Sequence, residues 1–195
     1  MISKFRIGVL VIILNFFASV AMIWGQDNPS LLQMAVPSLN IAPDARGGGM
    51  GDMGAATLPD INSQYWNAAK YAFMGSKAGV SLSYTPWLRK LVNDVALVNM
   101  TGYYKLGNSD LQAISASLRY FSLGEVNIWE NIGDVPYGLN PYEMAFDVAY
   151  SRKLSESYSM AVTLRYIRSD MGTDQNDESN AGNAFSADIS GYLEK

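Results

Sequence analysis

An all-β, antiparallel transmembrane barrel is the fold this 195-residue chain predicts. Three observations predict it. From Ala78 onward, apolar and polar residues alternate with period two over runs of about ten residues. The links between the later runs are alternately short and long. Charged residues make up only 16% of the chain, against roughly 25% in an ordinary soluble domain, and aromatics reach 12%. Scarce charge with abundant Tyr and Trp suits a lipid-facing wall with interfacial girdles. A tightly packed sandwich can share that composition, but nothing in a sandwich requires its loops to alternate in length.

The same composition excludes several functions. The formal net charge of −4 becomes more negative once Lys4 and Arg6 near the N-terminus are set aside, so the basic stripe of a nucleic-acid binder is missing. With no Cys there is no disulfide framework, Cys-rich metal site or lipoprotein anchor. With no His, the Ser-His-Asp, Cys-His and H-E-x-x-H chemistries are impossible within this chain.

Residues 1–25 read as a secretory signal. Lys4 and Arg6 form the positive start and an apolar run extends from Ile7 to about Ile23. Cleavage after Ala21 and cleavage after Gly25 both fit, and a retained inner-membrane anchor is the competing reading. Residues 26–77 differ from the remainder. Pro29, Pro37, Pro43 and Pro59 punctuate them and five glycines crowd the stretch 47–54, so they predict an irregular N-terminal arm or plug. A short helical turn is expected around Ser63–Tyr71, capped by Asn62 or Ser63.

Residues 78–195 supply the strands. Ala78–Pro86, Leu111–Phe121, Glu143–Lys153 and Ser157–Arg168 each alternate cleanly, and Ala184–Leu193 does so more weakly. Val92–Lys105 is apolar in both phases and predicts a strand buried on both sides. The polar phase carries Ser, Ala and Thr with occasional Arg or Asp, as a crowded wet lumen would. The links Leu106–Asp110 and Leu154–Glu156 are short, whereas Ser122–Tyr142 and Ser169–Asn183 are long. Tight turns on one side and extended loops on the other are what an outer-membrane barrel uses. About six strands fall short of the eight that usually close such a barrel, so an incomplete barrel, part of a longer one, is expected.

The stretch IAPDARGGGMGDMGAAT over residues 41–57, followed by Pro59-Asp60, NSQYWN at 62–67 and KYAF at 70–73, resembles the PorV (LptO) family. NPYE at 140–143 and LRYIRS at 164–169 resemble strand ends in the same family. The resemblance implies an outer-membrane protein of the type IX secretion system of Bacteroidota, built on a FadL-like barrel with fourteen strands in the family. It further implies a non-enzymatic role. Members bind the SprA translocon, receive cargo proteins bearing a C-terminal signal domain, and pass them to the PorU sortase complex at the cell surface.

Two groups of residues are candidate sites. Asp44, Arg46, Gly47, Gly48, Gly49, Gly51 and Asp52 look superficially like a phosphate loop but lack its Lys-Ser/Thr pair. They are read instead as a plug or anchor motif, in which glycines let backbone approach backbone and Arg46 pairs with Asp44 or Asp52. Trp129, Tyr137, Leu139 and Tyr142 make the Ser122–Tyr142 loop unusually apolar, which marks a partner-contact surface or a barrel rim. Asp170, Asp174, Asp177 and Glu178 could coordinate Ca²⁺ but lack EF-hand spacing, and no metal or cofactor is expected. No pair of carboxylates is marked for catalysis. The functional expectation is a binding and shuttle module in contact with outer-membrane lipid, an SprA-like translocon, a PorU-like sortase complex and signal-domain cargo. The alternatives are a FadL-like transporter of hydrophobic small molecules, with the arm as a hatch, and a secreted soluble adhesin.

Overall fold

The computed structural model describes residues 36–87, 94–107, 111–128, 137–171 and 181–194. The expected leader, Trp129, Asp174, Asp177 and Glu178 lie outside the described residues. Among those described, eight strands form: β1 (Ala78–Pro86), β2 (Val95–Leu106), β3 (Gln112–Leu123), β4 (Val126–Ile128), β5 (Tyr137–Leu139), β6 (Tyr142–Lys153), β7 (Tyr158–Asp170) and β8 (Gly182–Leu193). Six of them make one antiparallel sheet in the order β1-β2-β3-β6-β7-β8. Every neighbour in it follows in sequence except across the β4–β5 hairpin, which stands as a separate two-stranded ribbon. The sheet is open, with β1 and β8 as its edges.

The six long strands form where strands were expected, five of them by period two and β2 by its apolar run, with β1 over the same nine residues. The hairpin was not expected. Its three-residue strands are too short to display an alternation, so the 122–142 link reads in sequence as plain loop. At the short-turn end, Gly107 takes a positive φ of 72° between β2 and β3. Between β6 and β7 the amides of Leu154 and Ser155 both donate to the carbonyl of Tyr158.

The sheet is inverted relative to a soluble protein. On one face the large apolar side chains lie bare: Val80 is 73% exposed, Leu82 72% and Phe185 84%, joined by Met100, Leu118, Val148, Val162 and Leu164. The opposite face is polar yet buried, with Ser117 at 6%, Asp147 at 5% and Arg119 at 4%. The expectation that β2 is buried on both sides fails for the same reason. Leu97, Asn99, Thr101, Tyr103 and Lys105 are buried, while Met100 and Tyr104 stand on the bare face. Its second apolar phase is therefore part of the bare surface and not of a core.

What covers the polar face is the segment 36–77. It contains a 3₁₀ turn at Pro37–Asn40, short helices at Ala45–Gly49 and Ser63–Trp66, and a 3₁₀ helix at Ala68–Phe73. Ala68, Ala69 and Tyr71 of the last of these pack with Tyr103, Ala113, Ala149, Ala161 and Tyr192 of the sheet into the main hydrophobic cluster. Small alanines on three strands let the helix backbone approach closely, and the Tyr71 ring stacks on Tyr103 at 4.9 Å.

Candidate functional site

The interface between the arm and the polar face concentrates most of the buried polar chemistry, and it is built from the arm outward. Near the long-loop end, the Ser38 amide donates to Glu143 Oε2 at 2.9 Å and the Ser38 carbonyl accepts from Arg119 Nη1 at 2.7 Å. The Tyr65 hydroxyl donates to the Leu39 carbonyl at 2.8 Å, and its ring lies 4.4 Å from the Arg119 guanidinium. Midway, Ser115 donates to Gln64 Oε1 at 2.6 Å. Toward the short-turn end, Ser159 donates to the Ala69 carbonyl at 2.7 Å, and Asn67 Nδ2 donates to the Gly191 carbonyl at 3.0 Å. Strands β3, β6, β7 and β8 therefore all hold the arm, mostly by its backbone. Burying main-chain groups requires such partners, because each orphan would cost about 1–3 kcal/mol.

Two buried groups organise the arm internally. Lys70 has no solvent exposure and directs its ammonium to the Gly54 carbonyl at 2.7 Å and Thr57 Oγ1 at 3.1 Å. Burial pulls its pKa below the ordinary value of 10.5, against a partial opposing pull from Asp60. Tyr71 accepts from the Gln64 amide and donates to the Ile61 carbonyl, and burial drives its pKa well upward. Lys70 ties the glycine-rich stretch, and Tyr71 the Ile61 and Gln64 backbone, to the 3₁₀ helix that seats on the sheet.

The glycine motif folds around Trp66. Asp44 caps the Ala45–Gly49 helix by accepting from the Gly47 amide at 2.9 Å, and its other oxygen faces the Trp66 indole N–H at 3.4 Å. A Cβ on Gly54 would sit 2.2 Å from the Trp66 ring and one on Gly47 2.8 Å from it, so both positions exclude larger residues. Gly48 and Gly49 have space, and Gly51 turns the chain with a φ of 74°, followed by Asp52 at 58°. Arg46 pairs with neither Asp44 nor Asp52. Its partner is Asp60 at 2.7 Å, because the Asp44 carboxylate is already committed to the cap and the indole. The expected helical turn is present as two pieces. Asn62 stands at the N-cap without a side-chain bond, and Asp60 Oδ1 accepts from both Asn62 N and Ser63 Oγ instead.

On the sheet itself, Asp147 accepts from Arg165 Nε at 2.6 Å and Ser117 Oγ at 3.1 Å, and Arg165 also faces Asp188 at 3.7 Å. Among the described residues no three His, Cys, Asp or Glu side chains gather in a way that could hold a metal ion. Of the partner-loop residues, Tyr137 opens β5 and Leu139 closes it, half-buried and paired with Val126. Tyr142 opens β6 and stacks on Tyr120 at 5.6 Å. Tyr84, Tyr120 and Tyr142 stand toward the long-loop end of the bare face, and Tyr104, Tyr150 and Tyr158 toward the short-turn end. Mostly aliphatic residues, with Phe146 among them, fill the band between.

The candidate sites named from the sequence omitted Ser38, Gln64, Lys70, Arg119 and Glu143, although Gln64, Lys70 and Glu143 fall in the stretches that carry the resemblance. Arg119 and Glu143 carried a faint signal, as charges in the polar phase of a strand where small residues dominate. A search of the curated proteins finds no match to this chain. A family model described as Type IX secretion system protein PorV matches residues 25–195, which spans the arm and all eight strands. The chain belongs to the PorV family of type IX secretion system proteins.

Proposed function

We propose that the chain forms part of a lipid-embedded barrel wall sealed by its N-terminal arm, and that it serves secretion by binding other proteins and not by catalysis. The family assignment carries the coarser statement, an outer-membrane component of the type IX secretion system. The observation that carries the finer reading is the inverted sheet. A bare apolar band flanked by tyrosine rows on one face, with a polar face buried under the arm on the other, suits lipid outside and a filled lumen inside. The expected plug, of which residues 36–77 are described, is then the arm on the polar face, and Asp44, Arg46 and the glycines to Asp52 form the turn that folds it on Trp66. The loop holding the β4–β5 hairpin, with Leu139 and Tyr142 beside it, is the surface offered to an SprA-like translocon, a PorU-like complex or signal-domain cargo.

A transporter of hydrophobic small molecules fits less well, because it needs an apolar lumen. Here the covered face carries Ser, Thr, Asn, Asp and Arg, and arm backbone occupies it. Mild detergent extraction of the tagged chain from outer membranes, with mass spectrometry of what accompanies it, separates the two. A large translocon barrel, a sortase-like protein or signal-domain cargo is the expected companion. Recovery of lipid alone would favour transport, and recovery in the soluble fraction would overturn both.

A further inference from the structure

The contact at Ser38 differs in kind from the other seats of the arm. Of Ser38, Glu143 and Arg119 read the peptide groups alone, one its N–H and the other its C=O, and Arg119 also lies against the Tyr65 ring at 4.4 Å. Both are nearly sealed from solvent, at 1% and 4% exposure, and each has one unpartnered atom among the described residues, Glu143 Oε1 and Arg119 Nη2. Two opposite charges on one face are thus bridged through a single residue of the arm, by the two peptide groups that flank its Cα. Their strand positions allow more. Arg119 lies opposite Ala145 and Glu143 opposite Phe121, so the pair are diagonal neighbours on β3 and β6. Diagonal positions stand about 7–8 Å apart, within reach of two long side chains. Asp147, the diagonal carboxylate on the other side of Arg119, already accepts from Arg165 and Ser117.

We propose that Arg119 and Glu143 are a releasable clamp: they hold the arm at Ser38 and, when the 36–41 stretch leaves, close into a direct ion pair that stabilises the vacated wall. Seated, each charge keeps one unpartnered atom; vacated, each satisfies the other. Release at this end therefore avoids the heavy penalty of an uncompensated buried charge. The short-turn end has no such alternative. There Ser159, Asn67 and the alanine floor hold the arm, and nothing re-pairs if they let go. The arm is built to open from the Ser38 end while remaining anchored at Ala68–Phe73. This rests on the reading of the arm as a lumenal plug.

Hydrogen exchange read by mass spectrometry on the full chain in outer-membrane vesicles tests it. In the unmodified chain the 36–41 amides should exchange faster than those of 68–73; a common rate for both would overturn a separate clamp. The reversed pair, Arg119→Glu with Glu143→Arg, keeps the direct ion pair but offers the wrong charge to each Ser38 group. It should speed 36–41 exchange at least tenfold and leave 68–73 and the strands protected. The neutral pair, Arg119→Met with Glu143→Met, loses the clamp and gains no ion pair, so it should open less than the reversed pair. Equal opening would overturn the re-pairing. If the reversed pair does not fold, Ser38→Pro removes the N–H that donates to Glu143 while leaving both charges in place, and should still speed exchange at Leu39 and Ile41. Unchanged exchange there would sink the clamp. Unprotected strands in the unmodified chain would instead count against the barrel reading itself.

Discussion

Lys70 is the residue on which the interior of the arm turns, and its chemistry sets a pH dependence with a defined sign. Its ammonium has two oxygen partners and no solvent exposure, so burial favours the neutral form and lowers its pKa from 10.5. Between that lowered value and 10.5 the unfolded arm binds more protons than the folded one, so stability rises with pH across the window. Tyr71 works the other way at the upper end. Its raised pKa keeps the folded hydroxyl protonated above the ordinary 10.0, where the unfolded one ionises, so stability falls with further alkali. The arm should therefore gain resistance to denaturant as pH rises toward about 10 and lose it beyond. Lys70→Met should abolish the rising limb, retain the fall, and cost about 1–3 kcal/mol by orphaning the Gly54 carbonyl. Denaturant midpoints for the arm, followed by Trp66 fluorescence across pH, check both limbs. A flat profile in the unmodified chain would mean that Lys70 is not sealed from water.

The 3₁₀ helix Ala68–Phe73 is the element that decides whether the arm stays on the sheet. It rests on Ala113, Ala149 and Ala161, and Ser159 bonds to its Ala69 carbonyl. Ala161→Leu should push the helix away at a cost of about 1–3 kcal/mol, as overpacking of a close contact does. Val162→Leu, one residue along on the bare face, should stay within about 0.5 kcal/mol. Trypsin cleavage after Lys70, a site sealed in the intact interface, reads the difference directly, and equal cleavage in both variants would contradict the seating. The strands this helix lies on were legible in sequence because period two is a local signal, and so was a helical turn near Ser63. The seat itself was not. Ser38 meets Glu143 across 105 residues and Asn67 meets Gly191 across 124, and no short window contains such pairs. Arg46 shows the same limit at shorter range. Sequence proximity suggested Asp44 or Asp52, but Asp44 had a better use as a helix cap and Asp60 lay closer in space.

For the whole molecule, the question is which solvent meets the bare face. If it is lipid, a charge placed there must be desolvated, costing about 2–4 kcal/mol near the bilayer midplane and falling to about 0–1 near the interfaces. If it is water, the same charge is nearly free, as on any exposed surface. Neighbouring positions on β1 separate the cases cleanly. Leu82 stands on the bare face at 72% exposure, and Ser83 points to the covered side. Leu82→Arg should therefore lose about 2–4 kcal/mol when the chain folds into lipid vesicles, whereas Ser83→Arg, facing a polar interior, should lose under about 1. Denaturant midpoints in vesicles, with heat-modifiable gel mobility to score the folded form, measure both. A cost at Leu82 that exceeds the cost at Ser83 means that lipid covers the bare face, and the inversion of the sheet is then the adaptation that makes it so. The opposite order would put water on the bare face. A row of exposed Val, Leu, Met and Phe across six strands would then have no physical justification, and the membrane reading would fail at its root.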